Sequence, residues 1–160
     1  MKSVSCLFIF SAFFLLVSNK TVAQNAIITP SIDIQKTDNS EWLPYFENGG
    51  LKIEFKYSEC DPRIGFDNQS ILLKFTSSSE YKAGISWQMH KYYDEVCNSC
   101  NYPEEYLYEI VLDSNSSLEG DCSIESIYQL KIFSKFIDEN YTKGKRLTSF
   151  KLDDLKIIKK

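Results

Sequence analysis

Four of the five cysteines, Cys60, Cys97, Cys100 and Cys122, follow residue 23, and their type and spacing carry the most chemistry in the chain. Cys97-Asn98-Ser99-Cys100 is a C-x-x-C, the spacing of a dithiol that opens and closes by thiol–disulfide exchange. That exchange needs a stabilised thiolate, normally at a helix N-terminus. Here the motif runs into Asn101-Tyr102-Pro103 and then a strand-like segment, with no βαβ pattern around it. Four thiolates would also suit zinc, but zinc knuckles usually come as two C-x-x-C pairs and this chain has one. An even number of cysteines in an exported chain reads first as disulfides. Cys97–Cys100 with Cys60–Cys122 is the favoured pairing. The two crossed pairings, which join the C-x-x-C loop to both Cys60 and Cys122, stay open. No metal and no cofactor is expected.

Other chemistry is sparse. His90 is the single histidine, so any Ser-His-Asp triad would have to use it. It falls at a polar position beside Lys91, with no G-x-S-x-G and no H-E-x-x-H in the chain, and reads as a solvated side chain. No EF-hand loop and no glycine-rich phosphate cradle occurs. The 22 acidic residues supply many pairs for glycoside hydrolysis, but none stands out. Glu104-Glu105 and Asp153-Asp154 read as solvated turns or edges. No catalytic residue is assigned. Aromatics remain. Trp42 and Tyr45 lie in a proline-containing loop, and Tyr92, Tyr93 and Tyr102 flank the cysteine loop. Such side chains stack on sugars or fill a partner's pocket, and they also cap the ends of sandwiches. Trp87 sits mid-strand on an apolar face and is assigned to the core.

The elements that must position these residues are strands. Leu51-Lys52-Ile53-Glu54-Phe55-Lys56-Tyr57 alternates apolar and polar without error, the period of a strand with one buried face. Ile71, Leu73 and Phe75 repeat it, as do Ala83, Ile85, Trp87 and Met89, then Tyr106, Tyr108, Ile110 and Leu112. A short strand is expected over 118–122. Residues 126–137 fit both periods, but their aromatic and β-branched content favours a strand. Phe150 and Leu152 alternate, parity breaks at Asp153-Asp154, and it resumes at Leu155 and Ile157, which predicts a bulge. Turn signals such as Asn48-Gly49-Gly50 and Asp113-Ser114-Asn115 separate the segments. The pattern predicts an all-β, immunoglobulin-like sandwich of about seven antiparallel strands over residues 51–160. Residues 24–50 are expected to form an N-terminal extension. Ile28, Ile32 and Ile34 mark a candidate edge strand in it, with Pro30 on the free side.

Residues 1–23 carry a leader pattern. Lys2 precedes an apolar run from Leu7 to Val17, and Thr21-Val22-Ala23 supplies small residues at −3 and −1 of a cleavage site. That 11-residue run, broken only by Ser11 and Ala12, is too short to cross roughly 30 Å of hydrocarbon as a helix. The expectation is a cleaved signal peptide, no membrane span thereafter, and a periplasmic or extracellular protein. Without the leader, 16 basic and 22 acidic residues give a net charge of −6. That argues against nucleic-acid binding, which needs a basic surface to displace counterions, and against a polybasic membrane anchor.

The Val22-Ala23-Gln24 leader end, Ile85-Ser86-Trp87, Cys97-x-x-Cys100, Leu118-Glu119-Gly120-Asp121-Cys122 and Leu130-Lys131-Ile132-Phe133 resemble small exported proteins of Bacteroidota-type bacteria, over roughly residues 50–157. The resemblance implies a β-sandwich with no assigned activity and carries over no catalytic residue. It also favours strand over helix for Leu130–Phe136. The expected function is a non-enzymatic binding or interaction module for a protein or glycan ligand. A thiol-disulfide oxidoreductase using Cys97 and Cys100, and a structural accessory of a surface assembly, are the alternatives.

Overall fold

The computed structural model describes residues 27–34, 40–60, 67–123, 126–137 and 144–160. The leader and its cleavage site before Gln24 lie outside the described residues. Among the described residues the fold is all-β, and every strand pairing is antiparallel. The strands are β1 (Ile32–Asp33), β2 (Leu43–Asn48), β3 (Leu51–Cys60), β4 (Asn68–Ser77), β5 (Ala83–Tyr93), β6 (Val96–Cys97), β7 (Leu107–Leu112), β8 (Ser117–Glu119), β9 (Lys131–Phe136) and β10 (Leu147–Lys159). Seven of these ten have six residues or more. One sheet runs β1-β10-β5, with β6 and β7 sharing the far edge of β5. The other runs β2-β3-β4, with β8 and β9 sharing the far edge of β4. Among the described residues no helix is long and apolar enough to cross a membrane.

The alternation read from the sequence is the core. Ile53, Phe55 and Tyr57 of β3 and Ile71, Leu73 and Phe75 of β4 face Ile85, Trp87 and Met89 of β5 and Phe150, Leu152 and Leu155 of β10. Aromatic pairs lock the two sheets. Phe75 stacks on Trp87 at 4.9 Å, and Phe55 meets Phe150 edge-on at 5.6 Å. Such pairs add about 0.5–1.5 kcal/mol each beyond their area.

Local chemistry sets the registers. Gly49 and Gly50 both have positive φ, 58° and 81°, so they form the two-residue hairpin turn that matches strand twist between β2 and β3. In β10 the register against β5 slips between Asp153 and Lys156, and Asp154 takes a φ of 51°. This is the bulge that the parity break predicts.

Three segments differ from the sequence reading or refine it. The segment holding Trp42 and Tyr45 is not a loop. It leads directly into β2, where a register shift between Pro44 and Phe46 breaks the alternation and hides the strand. Residues 27–48 thus supply a strand to each sheet, β1 to one and β2 to the other. Residues 126–137 combine a 3-10 turn over Tyr128–Leu130 with strand β9, which explains why both periods fit.

Candidate binding face

The cysteines form two separate pairs, one on each sheet. Cys60 ends β3 and is paired with Cys122 just beyond β8, at a Cα separation of 5.3 Å. Cys97 ends β6 and is paired with Cys100, at 5.6 Å. The favoured pairing is the one the structure adopts. The turn that presents Cys97 is held in place. Asp94 and Glu95 both take positive φ, which non-glycine residues rarely do. Asp94 N–H donates to the Arg146 carbonyl, and Glu95 N–H donates to Thr148 Oγ1. Buried Ser99 accepts from Lys91 N–H at 2.8 Å. Cys100 N–H points at Cys97 Sγ at 3.1 Å, and the chain continues through turns to β7. No helix N-terminus stands behind either sulfur among the described residues. Among the described residues no group of three or more His, Cys, Asp and Glu side chains is placed to hold a metal ion.

His90 Nδ1 lies 3.9 Å from Asp153 Oδ2, beyond hydrogen-bond reach. The Lys151 ammonium, 2.7 Å away, is what holds the Asp153 carboxyl below the usual carboxylate range.

The five aromatics singled out in the sequence do not come together. Tyr45 is buried, stacked on Phe150 at 5.6 Å. Its hydroxyl donates to the Pro30 carbonyl and accepts from Leu152 N–H at 2.8 Å. Thr29 Oγ1 donates to the Leu152 carbonyl. These two side chains satisfy the β10 backbone in the gap between β1 and the Ile27–Leu155 bridge. Tyr45 therefore ties strands together and has no face to offer a ligand. Tyr93 is half-buried, and its hydroxyl donates to the Phe133 carbonyl at 2.7 Å, across to the other sheet. Tyr92 is partly exposed on β5, opposite Cys97 and Ser149. Tyr102 is exposed in the turn after Cys100.

Trp42 differs from the others. Leu43 faces Phe55, so one step back along the ladder brings Trp42 to the outer face beside Lys56. The Lys56 ammonium sits 4.4 Å from the centre of its ring, and that of Lys74 sits 5.3 Å away. Each such contact is worth about 0.5–1 kcal/mol at an exposed site. Lys56 also reaches Glu119 Oε1 at 3.3 Å. Leu72 is buried on this outer face, with Lys56 and Lys131 its neighbours in register. Lys56, the residue over the Trp42 ring, also lines a depression of about 450 Å³ with Ser40, Tyr57, Ser58, Glu59 and Gln69. The face thus offers a partly exposed indole with its position set by two cations, one of which also lines a polar hollow. Sequence reasoning missed the two lysines, although both occupy polar positions of well-read strands. Without β2 as a strand, nothing linked them to Trp42.

Comparison with protein-family models, with curated proteins and with solved structures gives no match for this chain.

Proposed function

We propose that the chain is an exported, disulfide-stabilised, immunoglobulin-like sandwich that acts as a non-enzymatic binding module, and that it takes a carbohydrate on the outer face around Trp42. The observation that carries this reading is the partly exposed Trp42 ring held against Lys74 and against Lys56, which also lines the polar depression. An indole face stacks on the C–H side of a sugar ring, while ammonium, hydroxyl and carboxylate groups exchange hydrogen bonds with its hydroxyls. Holding the ring in place beforehand lowers the ordering cost of binding. Export is supported by the leader pattern and by two cysteine pairs, which suit an oxidising compartment. The absence of a helix N-terminus at Cys97 among the described residues favours stapling over thiol exchange.

The test is affinity electrophoresis through gels containing soluble polysaccharides, one set neutral and one rich in uronic acids. At least one should retard the native protein, and Trp42→Ala should migrate as though no polysaccharide were present. Free migration in every gel, or undiminished retardation of Trp42→Ala, would sink the proposal.

A further inference from the structure

The far edge of the first sheet carries a second surface, remote from Trp42 in topology and different in chemistry. Met89 N–H donates to the Tyr106 carbonyl at 2.9 Å, and these residues lie directly opposite each other when the β5–β7 register is extended by one pair. In an antiparallel ladder, bonded and non-bonded pairs alternate. Tyr106, Tyr108, Ile110 and Leu112 therefore spend their backbone groups on β5. The N–H and C=O groups of Leu107, Glu109 and Val111 point away from it. Among the described residues no strand pairs with β7 on that side.

The side chains along this edge are unusually apolar. Leu107 is 59% exposed and Val111 is 44% exposed, both on the outer face with Glu109 between them. Tyr128 is 66% exposed and stands edge-on to Tyr108 at 5.7 Å, so an aromatic pair closes the inner side of the same edge. Natural edges of this kind are usually blunted by proline, bulges or lysine. β2 has Pro44 and a bulge, whereas β7 has neither. The charge that β7 does carry, Glu109, selects among occupants. A second copy pairing antiparallel about the centre of β7 would set Glu109 against Glu109, a like-charge pair. A segment with a basic residue at that position would instead complete an opposite-charge pair with Glu109, taking the place of the half-exposed Lys160 Nζ that now lies 3.4 Å from its Oε1. The neighbouring Glu104 and Glu105 add to the same field.

We propose that β7 is a strand-addition site for an extended segment of another protein. That segment would place a lysine or arginine opposite Glu109, flanked by apolar residues packing beside Leu107 and Val111. Main-chain bonds would supply the affinity, and the apolar-basic-apolar alternation would supply the selectivity.

Amide exchange followed by NMR tests it on the folded protein. The probes are two blocked peptides, Ser-Val-Tyr-Lys-Tyr-Val-Ser and the same sequence with Glu for Lys. With the lysine peptide, the amides of Leu107, Glu109 and Val111 should become protected, while Tyr108 and Ile110, already bonded to β5, should not change. The lysine peptide should bind about fivefold more tightly than the glutamate peptide, the size expected of one cross-strand charge pair. Glu109→Lys, an exposed substitution that leaves the fold intact, should reverse that order. Protection elsewhere, or none with either peptide, would overturn the proposal. So would an unchanged preference in Glu109→Lys. Protection of the same three amides by self-association without peptide would assign the edge to a second copy and overturn the proposed occupant.

Discussion

Trp87 has no exposed surface and packs between Phe75, stacked at 4.9 Å, and Tyr108, edge-on at 5.9 Å. Its indole nitrogen finds no hydrogen-bond partner among the described residues, so the side chain is held by packing alone. Trp87→Ala should therefore cost about 3–5 kcal/mol, the range for truncating a large core aromatic. Urea unfolding measures this directly, and a change below about 1 kcal/mol would mean that the ring is not the centre of the inter-sheet contact. Its role was legible because it stands at an error-free alternating position in Ala83–Met89, where residue type and period agree. Trp42 has the same residue type but was legible only as an aromatic. What makes it a site is its neighbours, Lys56 and Lys74, which are 14 and 32 residues away and meet it only across a strand ladder. Tyr45 shows the opposite failure. It was grouped with Trp42 by proximity in sequence, yet the strand pleat and the bulge at Pro44 send it into the core.

At the scale of elements, long strands with clean period two were readable, and their turn residues marked where they stop. The elements that escaped are those whose pairing breaks the period: β2 with its bulge, and the short β6, fixed by a turn of two non-glycine residues at positive φ. The cysteine pairs act on these elements unequally. Cys60–Cys122 spans 62 residues of chain and joins the end of β3 to the segment after β8, two strands that pair with opposite sides of β4. In the chain-entropy model a loop of that length is worth about 4 kcal/mol. Cys97–Cys100 spans three residues, and its turn is already held by Ser99 and by the bonds to Arg146 and Thr148. Cys60→Ser should lower the urea midpoint far more than Cys97→Ser does. Equal losses would show that the small bridge, and not the turn around it, fixes the β5–β6 edge.

At the scale of the whole molecule, the two sheets are joined by phenols as well as by the apolar core. Tyr45 of β2 bonds to the Pro30 carbonyl and to Leu152 of β10, Tyr93 of β5 bonds to the Phe133 carbonyl of β9, and Tyr108 of β7 packs against Tyr128. Burial is the main reason that all three titrate above the ordinary tyrosine value of 10.0. In the unfolded chain these groups lose their protons near that value, whereas in the folded chain they hold them to higher pH. The unfolded state therefore binds fewer protons above pH 10, and stability must fall as pH rises there. Below it the contribution of the three phenols is complete and constant. Lys91 works in the other direction. Burial lowers its value below 10.5, so the unfolded chain binds more protons as that value is approached, and this one group adds stability as pH rises. Among the described residues Lys52, raised above 10.5 by its bond to Glu54, acts in the same direction as the three phenols, so only Lys91 opposes a net loss on the alkaline side. The urea midpoint should hold through neutral pH and then drop steeply above about pH 10. Phenolate absorbance separates this from general charge repulsion. Tyr45, Tyr93 and Tyr108 should give up their protons only above the ordinary value of 10.0, and the phenolate signal they contribute should rise together with the loss of the folded state. If Tyr45, Tyr93 and Tyr108 titrate near the ordinary value in a chain that stays folded, the phenols are not what holds the two sheets together.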